Sequence, residues 1–308
     1  MLLGLQSGVL FETLGVYDGL KLMKETGFDA LDFNLNNELP GDDIRGGKTD
    51  SILYQKDEDI YHHLLPLKTH SEHFGIMIHQ IHAPFPTRVD DADAQKALMI
   101  AIENTVKAAA FLGCDKVVVH PQYYPYIDDI SQEKEWEMNR EFFCHFIPML
   151  KKHRVSFCLE NMFTRFRGRI VASVCADAKE ACFYIDQLNE LAGEKCFSFC
   201  LDTGHVNLCS KDIRETILAL GNRIEALHIH DNDGLDDQHV MPYTGIIDWE
   251  RFCEGLAMIN YQGALCFETF NSLNKFPLSL WRDCLHTINN TGKLFSERIT
   301  SGAFLTKA

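Results

Sequence analysis

The chain has 308 residues, 46% of them hydrophobic and 24% charged, with a formal net charge of −15. These proportions fit a globular α/β protein large enough for one barrel of about 250 residues plus insertions, or for two smaller domains. They disfavour a nonspecific polyanion binder, which needs a broad Lys and Arg surface, and no apolar run reaches the roughly 18 residues of a membrane span. The eleven cysteines include no CxxC pair. Several sit in apolar runs as small hydrophobes, and the N-terminus does not read as a signal peptide, so a reducing cytoplasm is expected.

In chain order, apolar runs predict strands near 2–6, 28–34, 76–82, 115–120, 155–160, 196–202, 223–230 and 264–268. Between them, helical periodicity predicts helices at 15–26, 58–74, 92–112, 132–153, 176–191, 211–221, 248–259 and 277–293. Gly113 follows the third helix as a C-terminal stop, and Asp248 precedes Trp249 and Glu250 as an N-cap. Eight strand–helix alternations without a long linker predict a single (β/α)8 barrel over 1–308.

The strand ends carry the chemistry. FCLE ends at Glu160, FCLD at Asp202, ALHIH at His228 and His230, and LCFE at Glu268. Two earlier runs end at His82 and His120. In a parallel barrel these tips converge on one face, and carboxylates mixed with imidazoles suit a divalent cation. Strand parity places Cys158, Cys200 and Cys266 inward beneath Glu160, Asp202 and Glu268, with Leu159, Leu201 and Phe267 outward toward helices.

Three connections after strands are long: 36–57, 161–175 and 231–247. The second contains Arg165, Arg167 and Arg169, which could hold a substrate phosphate or carboxylate or simply be solvated. The third contains Asp237 and His239. Tyr123, Tyr124 and Tyr126 follow His120 and could stack on a sugar ring or pack a loop.

Taken in order, HAPF (82–85), VVVHP (117–121), LEN (159–161), LDTGH (201–205), LHIHDND (227–233), DQH (237–239), IDW (247–249) and FET (267–269) resemble the xylose-isomerase-like superfamily. That superfamily holds sugar and sugar-phosphate isomerases and epimerases as well as the AP endonuclease family 2. The resemblance implies a divalent metal (Mn, Zn, Mg or Co) held by Glu160, Asp202, His228 and Glu268. It implies Glu160 and Glu268 as the carboxylates that move a proton at the carbon beside a sugar carbonyl, through an enediolate. The family pattern favours His228 as the ligand; His230 shares its strand face and is the alternative, or else a hydrogen-bond partner. His205 matches a position that contacts substrate oxygen in relatives. His82, His120, His205, His230, Asp237 and His239 are thus substrate-binding or additional metal residues, with Arg165 and Arg167 as candidate phosphate contacts. The expected partner is a small carbohydrate; a homo-oligomer is compatible with this reading, a membrane or nucleic-acid partner is not favoured.

Departures from the ketose 3-epimerase pattern leave the substrate open. Phe166 stands where those enzymes carry Glu, Gly234 where they carry Arg, and Tyr243, Thr244 and Gly245 where relatives often carry Gly-Glu-Gly. A trinuclear-zinc endonuclease-like phosphodiesterase is an alternative, since all nine matching positions hold suitable donors: His82, His120, Glu160, Asp202, His205, His228, Asp237, His239 and Glu268. A related dehydratase and a non-catalytic sugar-binding barrel complete the alternatives.

Overall fold

The computed structural model describes residues 1–124 and 131–302. Its strands are β1 (Leu3–Gln6), β2 (Ala30–Asn34), β3 (Met77–His82), β4 (Lys116–Val119), β5 (Ser156–Glu160), β6 (Phe163–Phe166), β7 (Arg169–Ala172), β8 (Phe197–Asp202), β9 (Ile224–His228) and β10 (Leu265–Phe267). Its helices are α1 (Gly8–Glu25), α2 (Gly41–Arg45), α3 (Asp57–Phe74), α4 (Ala92–Leu112), α5 (Gln132–His153), α6 (Ala178–Ala192), α7 (Thr203–Leu208), α8 (Ile213–Leu220), α9 (Trp249–Met258), α10 (Phe270–Asn274) and α11 (Trp281–Ser301).

Eight strands form one sheet in the order β10-β1-β2-β3-β4-β5-β8-β9, and every pair is parallel. The ring nearly closes between β9 and β10, where Ile229 N donates to Cys266 O (2.9 Å) and Glu268 N donates to Ile229 O (3.0 Å). This is the (β/α)8 barrel expected from the sequence, with its strand tips at one face.

Strand parity follows the sequence. Val118, Cys158, Cys200 and Ala226 form one small cluster inside the barrel, and Ala30, Ala264 and Cys266 another. Phe157, Leu159, Phe199, Leu201, Leu227 and Phe267 belong instead to the large cluster shared with the helices. There Phe157 meets Phe143 and Phe146 of α5 and Phe197 of β8. Each such buried aromatic contributes about 1.5–3 kcal/mol, so the strand–helix layer carries most of the apolar stabilisation and the barrel interior is free to be polar at its mouth.

Local signals explain most boundaries. Asp91 accepts hydrogen bonds from Asp93 N and Ala94 N to start α4, and Gly113 ends it in the left-handed region. Asp248 accepts from Arg251 N (3.0 Å), the expected cap of α9. Several regions differ from expectation, among them the short helices α2 and α10, which fall outside the expected helices. Helix α1 begins at Gly8 rather than residue 15, because Ser7 makes no side-chain cap and a kink at Gly15 divides the pattern. Helix α11 runs over 281–301 rather than 277–293, since Phe295 and Ile299 extend its buried face. Helix α7 was not foreseen, and the 161–175 connection contains the antiparallel hairpin β6–β7 rather than plain loop. Among the described residues no helix is long and apolar enough to cross a membrane. All eleven cysteines are free.

Candidate metal centre

The strand tips are built by local rules. Asp202 ends β8 and also caps α7: its Oδ1 accepts from His205 N at 2.7 Å. The three-residue spacing therefore places His205 at the third position of the helix, beside its cap. Asn161 clips β5 to β8 by donating to Asp202 O and accepting from Asp202 N, both at 2.9 Å. It also leaves its carbonyl 2.8 Å from His205 Nδ1. Gly204 is required by packing, because a Cβ there would lie 2.0 Å from the His230 ring.

The long loop after β9 is organised by Asp231, which is fully buried. Its carboxylate accepts from Tyr243 N, Trp249 Nε1, Asn232 N and Ile247 N. A Cβ at Gly245 would lie 2.3 Å from that carboxylate and from Asn232 O. Held this way, the loop carries Asp237 and His239 back over the strand tips.

Two neighbouring groups of donors result. In the first, Glu160 is central. Its oxygens lie 3.1 Å from His120 Nε2, 3.5 Å from His82 Nε2, 3.3 Å from His228 Nδ1 and 3.5 Å from His205 Nδ1. His228 Nδ1 also lies 3.5 Å from Glu268 Oε2. In the second, His230 Nε2 is 3.0 Å from both oxygens of Asp202, and Asp237 Oδ2 is 2.9 Å from His239 Nε2 and 3.6 Å from His205 Nε2. The rings of His230 and His239 stack at 3.9 Å. Asp202 and His228 are register partners on β8 and β9, and Glu268 Oε2 reaches His239 Nδ1 at 3.6 Å as well as His228. Glu160, His228 and Glu268 therefore meet directly, while Asp202 pairs with His230.

Charge is balanced by protons. Burial opposes ionisation of Glu160, but the imidazoles of His228 and His120 outweigh it and hold its carboxyl well below the usual range. Burial likewise disfavours charge on His205, yet Asp202 and Asp237 push its pKa well up. Against the same opposition, Glu268 and Asp237 push His239 up to about 9. Burial dominates at His120, whose pKa falls. Carboxylates this deeply desolvated need compensating charge, which protonated imidazoles supply here.

The donor chemistry fits a divalent cation. Glu160 Oε2, His228 Nδ1, His230 Nδ1 and Asp237 Oδ1 are buried without hydrogen-bond partners. Four sets of three or more donors lie within 4.8 Å of one another: His82–Glu160–His228, Glu160–Asp202–His205, Asp202–His230–Glu268, and His205–His230–Asp237–His239. Neutral imidazoles with carboxylates are the ligands of a borderline cation, and such binding would release the compensating protons.

Above the donors opens a cavity of about 450 Å³ reached by His82, His120, Glu160, His205, Asp237, His239 and Glu268. Arg165 and Tyr123 also line it. Arg167 instead covers the Phe166 ring at the hairpin tip, and Arg169 is exposed on β7. Tyr124 lies under the Arg88 guanidinium, and Tyr126 falls outside the described residues. Sequence reasoning missed several residues here. Phe85, Phe163 and Phe270 back the imidazoles of His120, His205 and His239, at 4.6, 4.9 and 4.4 Å between ring centroids. Gln6 Nε2 donates to Glu268 Oε1 (2.5 Å), and Asp32 Oδ2 approaches His228 Nε2 (3.0 Å). A signal for the last two existed: each is polar, inside an apolar run, and in phase with an inward strand face.

The family model of the xylose isomerase-like TIM barrel matches residues 20–288. The chain belongs to that family. An uncharacterised protein of Sinorhizobium fredii is 27% identical over 180 residues, 58% of this chain and 54% of its own length. The match thus spans about half of that relative. A D-psicose 3-epimerase of Enterocloster bolteae is 28% identical over 126 residues, covering 40% of this chain and 38% of the enzyme. A solved L-ribulose 3-epimerase superposes over 100% of this chain and 99% of its own, with a TM-score of 0.72 at 17% identity, which establishes likeness of fold.

Proposed function

We propose that the chain is a divalent-metal-dependent epimerase or isomerase of a small ketose or ketose phosphate. The observation that carries this reading is the convergence of two carboxylates from different strands, Glu160 and Glu268, on one imidazole edge. They lie 3.3 and 3.5 Å from His228 Nδ1 at the base of the cavity. Sequence relatives that include a D-psicose 3-epimerase support the same class.

The primary ligands in this reading are Glu160, Asp202, His228 and Glu268. When bound, the cation supplies Lewis-acid polarisation of the sugar carbonyl. Glu160 and Glu268 take a proton from the carbon beside that carbonyl and return it on the other face. Gln6 fixes the Glu268 carboxylate through its amide. Phe85, Phe163 and Phe270 exclude water around the imidazoles, and the amides of Asn34 and Asn36 line the cavity where sugar hydroxyls need partners. Arg165 stands at the mouth, where it would receive an anionic substituent.

The test is solvent deuterium exchange into the α-carbon of a panel of free and phosphorylated ketoses, with Mn²⁺, Zn²⁺, Co²⁺ or Mg²⁺ added. Exchange that vanishes in Glu160→Gln is the expected result. One observation favours a second reading: the set His205–His230–Asp237–His239 could hold a further cation, as a phosphodiesterase needs. Nicking of abasic DNA, without exchange on any ketose, would replace the first reading with the second.

A further inference from the structure

We propose that Asp32 is a positioning residue of this centre: it keeps the proton of His228 on Nε2 and so leaves the Nδ1 lone pair for the cation. The inference rests on the metal-dependent reading above and goes beyond its ligand set.

Asp32 lies on β2, across the barrel from β9, and is fully buried, as is His228. Its Oδ2 is 3.0 Å from His228 Nε2, a bent approach, while the opposite ring edge presents Nδ1 to Glu160 and Glu268. One edge of the imidazole thus faces a single carboxylate, and the other faces the two carboxylates of the ligand set. An imidazole must be neutral to ligate, with one nitrogen protonated and the other bare. Carboxylates face both edges; with Glu160 and Glu268 committed to the cation on the Nδ1 side, the proton belongs on the edge facing Asp32. Carboxylate partners of this kind orient a ligating imidazole and raise its basicity.

Gln80 fixes Asp32 in turn. Its Nε2 donates to Asp32 Oδ2 (3.1 Å) and to Leu227 O (3.3 Å), the carbonyl just before His228. An amide NH₂ can only donate, which keeps Oδ2 an acceptor. The parallel His82 ring, 5.4 Å between centroids, limits rotation of His228. Asp32 therefore faces the ring it orients at 3.0 Å and is tied through Gln80 to the strand that carries that ring.

The test is Zn²⁺ affinity of the metal-free full chain, measured by competition with a chromophoric chelator. Asp32→Val fills the site but offers no acceptor; affinity should fall ~10–100-fold. Asp32→Asn keeps an amide oxygen toward Nε2 and should recover most of that loss. Wild-type affinity in Asp32→Val, or equal losses in both variants, overturns the role of Asp32 alone. Absence of Zn²⁺ binding by the wild type overturns it together with the metal-dependent reading. Should Asp32→Val fail to fold, ¹⁵N-histidine spectra of Zn²⁺-loaded wild type decide: a proton on His228 Nε2 supports the role, and a proton on Nδ1 overturns it.

Discussion

The two sides of the barrel meet the centre differently. Strands β5, β8, β9 and β10 bring Glu160, Asp202, His228 and Glu268 to their tips, where these side chains pair mainly with imidazoles. Strands β1, β2 and β3 bring Gln6, Asp32 and Gln80, which hold members of the first group from behind. Both walls leave some buried side-chain atoms unpaired, but only the second sends hydrogen bonds toward the other, the donor wall, from Gln6 to Glu268 and from Gln80 to the Leu227 carbonyl. A site of this kind needs both, because a donor at a strand tip has rotameric freedom that only a second contact removes.

The largest effect should come from breaking the donor wall. Asp202→Ala deletes a candidate ligand and the cap of α7. If a four-donor site contributes ~10–16 kcal/mol, one donor is worth roughly a quarter of that, or about 100–1,000-fold in affinity. Elemental analysis after dialysis should find the variant without bound metal. Full occupancy would remove Asp202 from the ligand set. Loss of the cap should cost a further ~1 kcal/mol of stability, visible without metal.

A second test uses protons in place of the cation. His239 in the metal-free protein is pushed up to about 9, above its ordinary 6.5, by Glu268 and Asp237 against the cost of burial. A raised imidazole pKa adds stability below about 6.5, and that stability is lost as pH rises through about 9. The metal-free protein should therefore melt at progressively lower temperature between those values. His239→Gln should flatten the decline. A metal-free melting temperature that stays level or rises over this window would show that His239 is not the compensating charge.

The donor wall was the more legible of the two for a physical reason. A carboxylate at the end of an apolar run breaks the pattern visibly, and FCLE and FCLD do so in the same phase. Inward Cys158 and Cys200 and outward Phe157 and Phe199 then follow from a period of two. Asp32 and Gln80 sit within their runs, where one polar residue is easily taken as a strand edge. Their meaning depends on His228 and Leu227, distant in sequence and reached only when the ring closes. The hairpin β6–β7 was hidden likewise: its strands have four residues each, and its turn is carried by Arg167 and Gly168 at positive φ. Helix α7 has six residues, too few for periodicity, and its start is set by Asp202, read as a ligand and not as a cap.

Weakening the supporting wall should cost less than breaking the donor wall. Gln6→Ala removes the one hydrogen bond that Gln6 donates to Glu268. Such a bond is worth about 0.5–1.5 kcal/mol, so turnover should fall roughly 3–10-fold with metal content unchanged. Loss of metal in this variant would make Gln6 part of the binding site and not a support for proton transfer. A turnover equal to wild type would show that Glu268 is fixed sufficiently by its other contacts.

The smallest expected change in stability lies where neither wall reaches, at the cavity mouth. Arg165 on β6 meets Asp236 of the 231–247 loop at 2.6 Å, with both side chains about half exposed or more. An exposed pair of this kind contributes about 0–1 kcal/mol, so Arg165→Ala should leave the melting temperature nearly unchanged. Its effect should appear in substrate discrimination instead. Arg165 can leave Asp236 for an incoming phosphate, which offers more acceptor oxygens than one carboxylate. KM for a phosphorylated ketose should then rise about tenfold, while KM for its free counterpart stays level. Equal KM changes for both sugars would make Arg165 a link between two loops, with the anion preference set elsewhere. A large fall in melting temperature would mean that this bridge stabilises the mouth more than an exposed ion pair can.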